Sequence, residues 1–240
     1  MIALLLLSSL ALAQEATHSR AILAREAQLY IAPDARSAKL GTVGRGREVA
    51  ILDQSLGYLK VFANVEGDRD VTGWILDKGV VRPSTPNGDK VLFGEAADSE
   101  YEASRRRGRR GADRDALRLY YRMAEYFPKS ELAGEALWRA ADIRWQVERA
   151  DVGARPSAKQ PDPYLRGKMD EEFMNQVRKK YPGSKWADMA DFAKLDNKIC
   201  GEWQGLAKCP ENESKLYEEY VQDHPNSPKK IGRASCRERV

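Results

Sequence analysis

Residues 115–136 read DALRLYYRMAEYFPKSELAGEA, and the proline at 128 separates two helical patterns. Before it, Leu119, Tyr120, Met123 and Phe127 lie nine, eight, five and one residues upstream, which places them on one stripe of an α-helix. After it, Ala133, Ala136 and Ala140 give a small-residue face suited to close packing. Proline forces the residue before it out of the α region, so the first helix must stop there. Ser130, two positions later, is the expected N-cap of the second. The segment is therefore a helix-turn-helix.

The same wording returns twice. Lys180-Tyr181-Pro182-Gly183-Ser184 and Asp223-His224-Pro225-Asn226-Ser227 align on their prolines. Phe173, Met174 and Val177, then Leu216, Tyr217 and Tyr220, occupy the stripe positions of Leu119, Tyr120 and Met123. Trp186, Met189, Ala190 and Ala193 supply the next second-helix face. Prolines 54 and 43 residues apart exceed the roughly 34-residue period of tetratricopeptide repeats, so inserted loops are expected. One is Asp151 to Pro163; the other runs from Cys200 to Cys209. From Phe127 to Ala136 the chain resembles the envelope tetratricopeptide proteins of Gram-negative bacteria, a resemblance that implies a protein-binding scaffold. Ser227-Pro228 announces a further helix. The chain is accordingly expected to be a fragment, with the face of Leu216, Tyr217, Tyr220 and Val221 left exposed.

Upstream of Gly88 the pattern changes. Leu29-Tyr30-Ile31, Val49-Ala50-Ile51-Leu52, Tyr58-Leu59-Lys60-Val61-Phe62 and Gly73-Trp74-Ile75-Leu76 are short β-branched or aromatic runs separated by glycines. Such spacing predicts a small all-β barrel over about 20–84, and Pro83 to Gly88 reads as a linker. Leu29-Tyr30-Ile31-Ala32-Pro33, Gly41-Thr42-Val43, Gly46-Arg47-Glu48-Val49, Gly57-Tyr58-Leu59-Lys60-Val61 and Gly73-Trp74-Ile75 resemble, in that order, a bacterial SH3 (SH3b) domain. Ala32 stands where that family often has arginine, and Asn64 to Val71 is expected to lengthen a strand connection. The overall expectation is an α+β multidomain chain, an SH3-like β-barrel followed by an α-helical, tetratricopeptide-like solenoid at 88–230.

Both ends read differently. Residues 1–13 are apolar for about ten residues, against the roughly 20 that span a bilayer, and read as a secretory signal peptide. Residues 231–240, IGRASCRERV, read as the in-frame translation of a sequencing adapter. Setting these ten aside lowers the formal net charge from +4 to +2 and leaves two cysteines, Cys200 and Cys209. In an oxidising compartment that pair is most simply a disulfide.

Catalytic chemistry is sparse. The two histidines, His18 and His224, are poorly placed to activate a cysteine, and His224 stands where the other repeats carry an aromatic. There is no phosphate-binding glycine loop, no paired metal-ligand histidines and no nucleophile elbow. No catalytic residue, metal or cofactor is expected. Tyr30, Tyr58 and Trp74 could form an aromatic platform for a peptide, or fill the barrel; a core of this size favours the interior for Trp74. Arg105, Arg106, Arg107, Arg109 and Arg110 form either a patch for an anionic partner or a solvated turn marked by Gly108 and Gly111. The composite expectation is a non-enzymatic exported, periplasmic scaffold. Its barrel would contact cell-wall peptide or a protein segment, and its helices an envelope protein; neither nucleic acid nor a membrane span enters. The competing expectation is the non-catalytic front of a cell-wall hydrolase.

Overall fold

The computed structural model describes residues 19–160, 162, 165–199 and 208–229. The expected signal peptide, His18, Pro161, Pro163, Cys200 and residues 231–240 lie outside the described residues.

The N-terminal part is one antiparallel sheet of seven strands: β1 (Ser19–Leu23), β2 (Ala27–Tyr30), β3 (Lys39–Val43), β4 (Glu48–Ser55), β5 (Tyr58–Val65), β6 (Arg69–Leu76) and β7 (Val80–Val81). Their spatial order is β3-β2-β6-β5-β4-β1-β7, and the sheet curls into a half-barrel. Alternation along β5 explains the curl's interior. Leu59, Val61, Ala63 and Val65 are buried, whereas Tyr58, Lys60, Phe62 and Asn64 turn outward. Leu29, Val43, Val49 and Ile75 belong to the same core.

The β4–β5 turn consists of Leu56 and Gly57, both at positive φ, which is the conformation a two-residue hairpin requires. Residues 64–71, expected as a longer connection, instead extend the strands themselves. Asn64 pairs with Asp70 and Val65 with Arg69, and only the three-residue tip from Glu66 to Asp68 turns, with Gly67 and Asp68 at positive φ.

Among the described residues six α-helices follow: α1 (Gly88–Ser104), α2 (Ala112–Tyr126), α3 (Ala133–Ala154), α4 (Glu172–Lys180), α5 (Lys185–Lys194) and α6 (Cys209–Asp223). Helix α3 runs to Ala154, so the inserted segment begins later than expected and opens with a 3-10 turn at Pro156–Lys159. Val152 explains the extension: its side chain is buried in the helical core together with Met169.

The three proline turns are near copies of one another. Phe127, Tyr181 and His224 have φ/ψ of −124/57, −129/57 and −124/63. Each donates its N–H to the carbonyl four residues back, and each accepts from the serine three residues on. The serines then diverge. Ser184 caps α5 by accepting from the Ala187 N–H, whereas Ser130 donates its hydroxyl to Asp89 of α1 at 2.7 Å. Ser227 is buried and shares a hydrogen bond with the Tyr220 hydroxyl. Ser130 is thus not the N-cap its position suggested, because α3 starts one residue past Leu132.

The face of α6 is also less open than expected. Tyr220 is buried, and Leu216, Tyr217 and Val221 are half-buried. Tyr217 and Tyr220 pack on Phe192 of α5 with ring centroids 6.3 and 5.2 Å apart, and the Tyr220 hydroxyl donates to the Asp188 carbonyl.

Sheet and helices share one core. Ile22 and Ala24 at β1 and Val81 of β7 pack with Leu92, Leu119, Tyr120 and Met123. Alternate residues Ala21 and Leu23 belong to the sheet's own interior, so β1 is buried on both faces. Charged groups rim this junction. Glu48 of β4 accepts from the Tyr126 hydroxyl at 2.6 Å and lies near Arg20 and Arg122; Glu95 of α1 holds both Arg25 and Arg45. The Pro83–Gly88 stretch is a hydrogen-bonded turn whose last glycine is wedged against Val81 and Phe127.

Candidate functional site

The outer face of the sheet carries the aromatic residues singled out in the sequence. Register fixes their side. Tyr30 lies opposite Trp74 across the β2–β6 pair, Trp74 opposite Lys60, and Tyr58 opposite Leu76. Residues directly opposite one another share a face, so these side chains line a single outward surface. The Tyr30 and Tyr58 rings meet edge to face, 6.4 Å apart at 87°.

Trp74 is half-buried here and does not occupy the sheet interior that a small core was expected to demand. The reason is parity along β6. Gly73 and Ile75 are the buried residues, leaving Trp74 to point out between them. A Cβ at Gly73 would lie 2.7 Å from the Tyr30 carbonyl oxygen and 2.8 Å from Leu29, so no larger residue fits that inward position. Two members of the surface were missed in the sequence: Phe62 and Leu76, 46% and 45% exposed. Their outward side was readable from the alternation around Leu59, Val61 and Ile75.

Half-exposed tyrosine and tryptophan on a hydrogen-bonded sheet offer broad contact area with little side-chain entropy left to lose. Lys60 beside Trp74, and Lys39 opposite Tyr30 on β3, add cationic groups along the same strip.

The arginine run lies elsewhere, on the loop between α1 and α2. Arg105, Arg106, Arg107, Arg109 and Arg110 are all exposed. Arg105 pairs with Glu102 at 3.1 Å and lies over the Tyr101 ring; Arg109 reaches Asp115 at 2.6 Å. Arg106, Arg107 and Arg110 have no carboxylate partner among the described residues.

Behind the loop, the helices hold a polar cluster that is structural. Glu100 accepts from the Tyr120 hydroxyl at 2.7 Å and from Arg139 at 2.8 Å, and Arg139 also holds Glu135. Burial first, and then the hydrogen bond to Glu100, push the Tyr120 hydroxyl well above its usual pKa. His224 stacks on Tyr220 and its Nδ1 lies 2.8 Å from Asp188, so it fills the aromatic position of its repeat and ties α6 to α5. Cys209 is buried in the first turn of α6; the cysteine expected to bond it, Cys200, is outside the described residues.

Among the described residues no group of three His, Cys, Asp or Glu side chains could hold a metal ion, and no helix is long and apolar enough to cross a membrane. Comparison with models of protein families, with curated proteins and with solved structures found no match to this chain.

Proposed function

We propose that the chain is a non-enzymatic exported binding protein of the cell envelope. In this reading the sheet is an SH3b-like module that contacts cell-wall peptide or a protein segment through Tyr30, Tyr58 and Trp74. The helices are tetratricopeptide-like and hold an envelope protein partner. The observation that carries the reading is the outward aromatic strip, in which a tryptophan and two tyrosines are kept at the surface together with the exposed Phe62 and Leu76. Exposed apolar side chains gathered on one face of a sheet suit an interaction site. The matching proline turns, with their shared dihedral angles, support the repeat reading of the helices.

The test uses the whole chain, because Ile22 and Val81 of the sheet pack against the helices and a separated sheet would expose them. Wild-type protein should co-sediment with purified cell-wall sacculi, and the Tyr30→Ala/Trp74→Ala double variant should not. A folded wild-type chain that stays in the supernatant would remove the wall-contact half of the proposal. Pull-down from envelope extract, repeated after the same double substitution, addresses the helical half.

A further inference from the structure

The arginine loop is a built turn that belongs to a larger surface. Gly108 donates its N–H to the Arg105 carbonyl at 3.0 Å, and Ala112 donates to that of Arg109 at 3.2 Å. A Cβ at Gly108 would lie 1.6 Å from the Glu102 carbonyl oxygen, so the turn closes too tightly for any other residue. The five arginines of the run are therefore held on a defined path around the end of α1.

This path continues onto α2 and the sheet. Asp115, nearly buried, is shared by Arg109 at 2.6 Å and Arg118 at 3.7 Å. Arg118 in turn lies beside the β3–β4 turn, its Nη1 within 3.8 Å of a Cβ placed at Gly44. Burial lowers the Arg118 pKa, and the neighbouring charges of Arg47 and Arg114 lower it further, which reports crowding of cations at this place. Arg109 also lines a cleft of about 500 Å³ together with Arg25 and Arg45. Glu95, Asp98 and Glu102 form the α1 wall of that cleft, so an anion is favoured on the outer rim rather than inside.

The residue type is informative too. From Val91 to Pro128 the chain has eight arginines and no lysine. Solvation alone does not distinguish the two. A guanidinium does, because its planar fork sets two parallel N–H groups on one oxyanion, whereas an ammonium is a hydrated point charge. Four of the eight, Arg106, Arg107, Arg110 and Arg114, are exposed and have no carboxylate partner among the described residues.

We infer that this junction binds closely spaced phosphate groups, with Arg106, Arg107, Arg110 and Arg114 as the contacting residues and Asp115 holding Arg109 and Arg118 in place behind them. Such phosphates could be carried by a soluble polymer or by lipid headgroups. The site is distinct from the aromatic strip and does not depend on it.

Two probes separate the sources: long-chain inorganic polyphosphate, and phosphatidylcholine vesicles with and without phosphatidic acid. The full chain should bind at least one of them, with affinity falling steeply as salt rises from about 50 to 200 mM. Replacing the four free arginines by glutamine should weaken binding about tenfold or more and flatten the salt dependence. Replacement by lysine, which keeps the charge, should still weaken it by several-fold. Far-UV circular dichroism checks that both variants stay folded, and Trp74→Ala should bind as wild type. Binding to polyphosphate alone identifies a soluble polymer, and binding only to phosphatidic acid vesicles identifies a lipid surface. The inference is overturned if neither probe binds or if the glutamine variant binds like wild type. It is equally overturned if the lysine variant is indistinguishable from wild type, or if polyglutamate binds as tightly as polyphosphate.

Discussion

Gly46 is the position where the sheet's fit against the helices can be measured with one methyl group. It sits in the β3–β4 turn at φ +69, and its N–H donates to the Leu23 carbonyl at 2.8 Å. A Cβ there would lie 2.7 Å from Arg118 Cβ and 3.0 Å from the Leu119 backbone nitrogen. Neither atom can step aside without moving α2. Gly57, in the β4–β5 turn, is the matched control, with φ +77 and nothing within 4 Å of its Cβ position. Both alanine variants bear the cost of a left-handed residue, about 1 kcal/mol. Only Gly46→Ala adds overpacking, typically about 1–3 kcal/mol. Expected destabilisation is therefore about 1 kcal/mol for Gly57→Ala and about 2–4 kcal/mol for Gly46→Ala. In a chain of this size that corresponds to about 2–4 °C and about 4–16 °C in Tm. Urea and thermal unfolding followed by circular dichroism would measure both. Equal losses for the two variants would mean that α2 does not rest on this turn, and the shared core would have to be abandoned.

Other outcomes follow from individual contacts. Ser184→Ala removes the cap of α5 and should cost about 1 kcal/mol by urea denaturation; no change would mean the cap is not formed in solution. Burial and hydrogen bonds to Glu100 and Glu48 keep the Tyr120 and Tyr126 hydroxyls neutral, raising both pKa values in the folded chain. Their contribution is complete below the unfolded tyrosine pKa of about 10 and is lost as pH rises above it, so stability should fall between pH ~10 and ~12. That slope should be shallower in Tyr120→Phe; an unchanged slope would assign it to other groups. Asp142 has its pKa raised, chiefly by burial, so its charged form opposes folding at neutral pH. Asp142→Asn should raise Tm at pH 7, with the gain fading at pH values below about 4, and a lower Tm at pH 7 would show that the carboxylate is needed as an acceptor.

The helix ends were legible because proline acts locally: Pro128, Pro182 and Pro225 each stop a helix in the same backbone geometry. The use of the following serine was not. Whether it caps the next helix or reaches another depends on what lies beside it, and Asp89, which takes Ser130, is distant in sequence. Strands β4, β5 and β6 were visible as β-branched and aromatic runs. β1 was hidden because Ala21, Ile22, Leu23 and Ala24 are all buried, half of them against the helices, which removes the alternation that marks a strand with one wet face. β7 is only two residues long and gives no pattern at all. The aromatic site was half legible. Its residues were found, but the outward placement of Trp74 follows from glycine at 73 taking an inward position, and a residue without a side chain leaves no apolar mark in the sequence. The arginine run announced its own exposure, whereas its continuation to Arg47 and Arg118 depends on a β-turn meeting α2 across the junction.

Co-sedimentation with purified sacculi is the most direct test of the central claim that the outer face of the sheet contacts the cell wall. The wild-type chain and the folded Trp74→Ala variant would be compared at equal concentration. The account predicts that wild type pellets with the sacculi and that Trp74→Ala remains largely in solution. Wild-type protein that does not pellet, or a variant that pellets equally well, would contradict it.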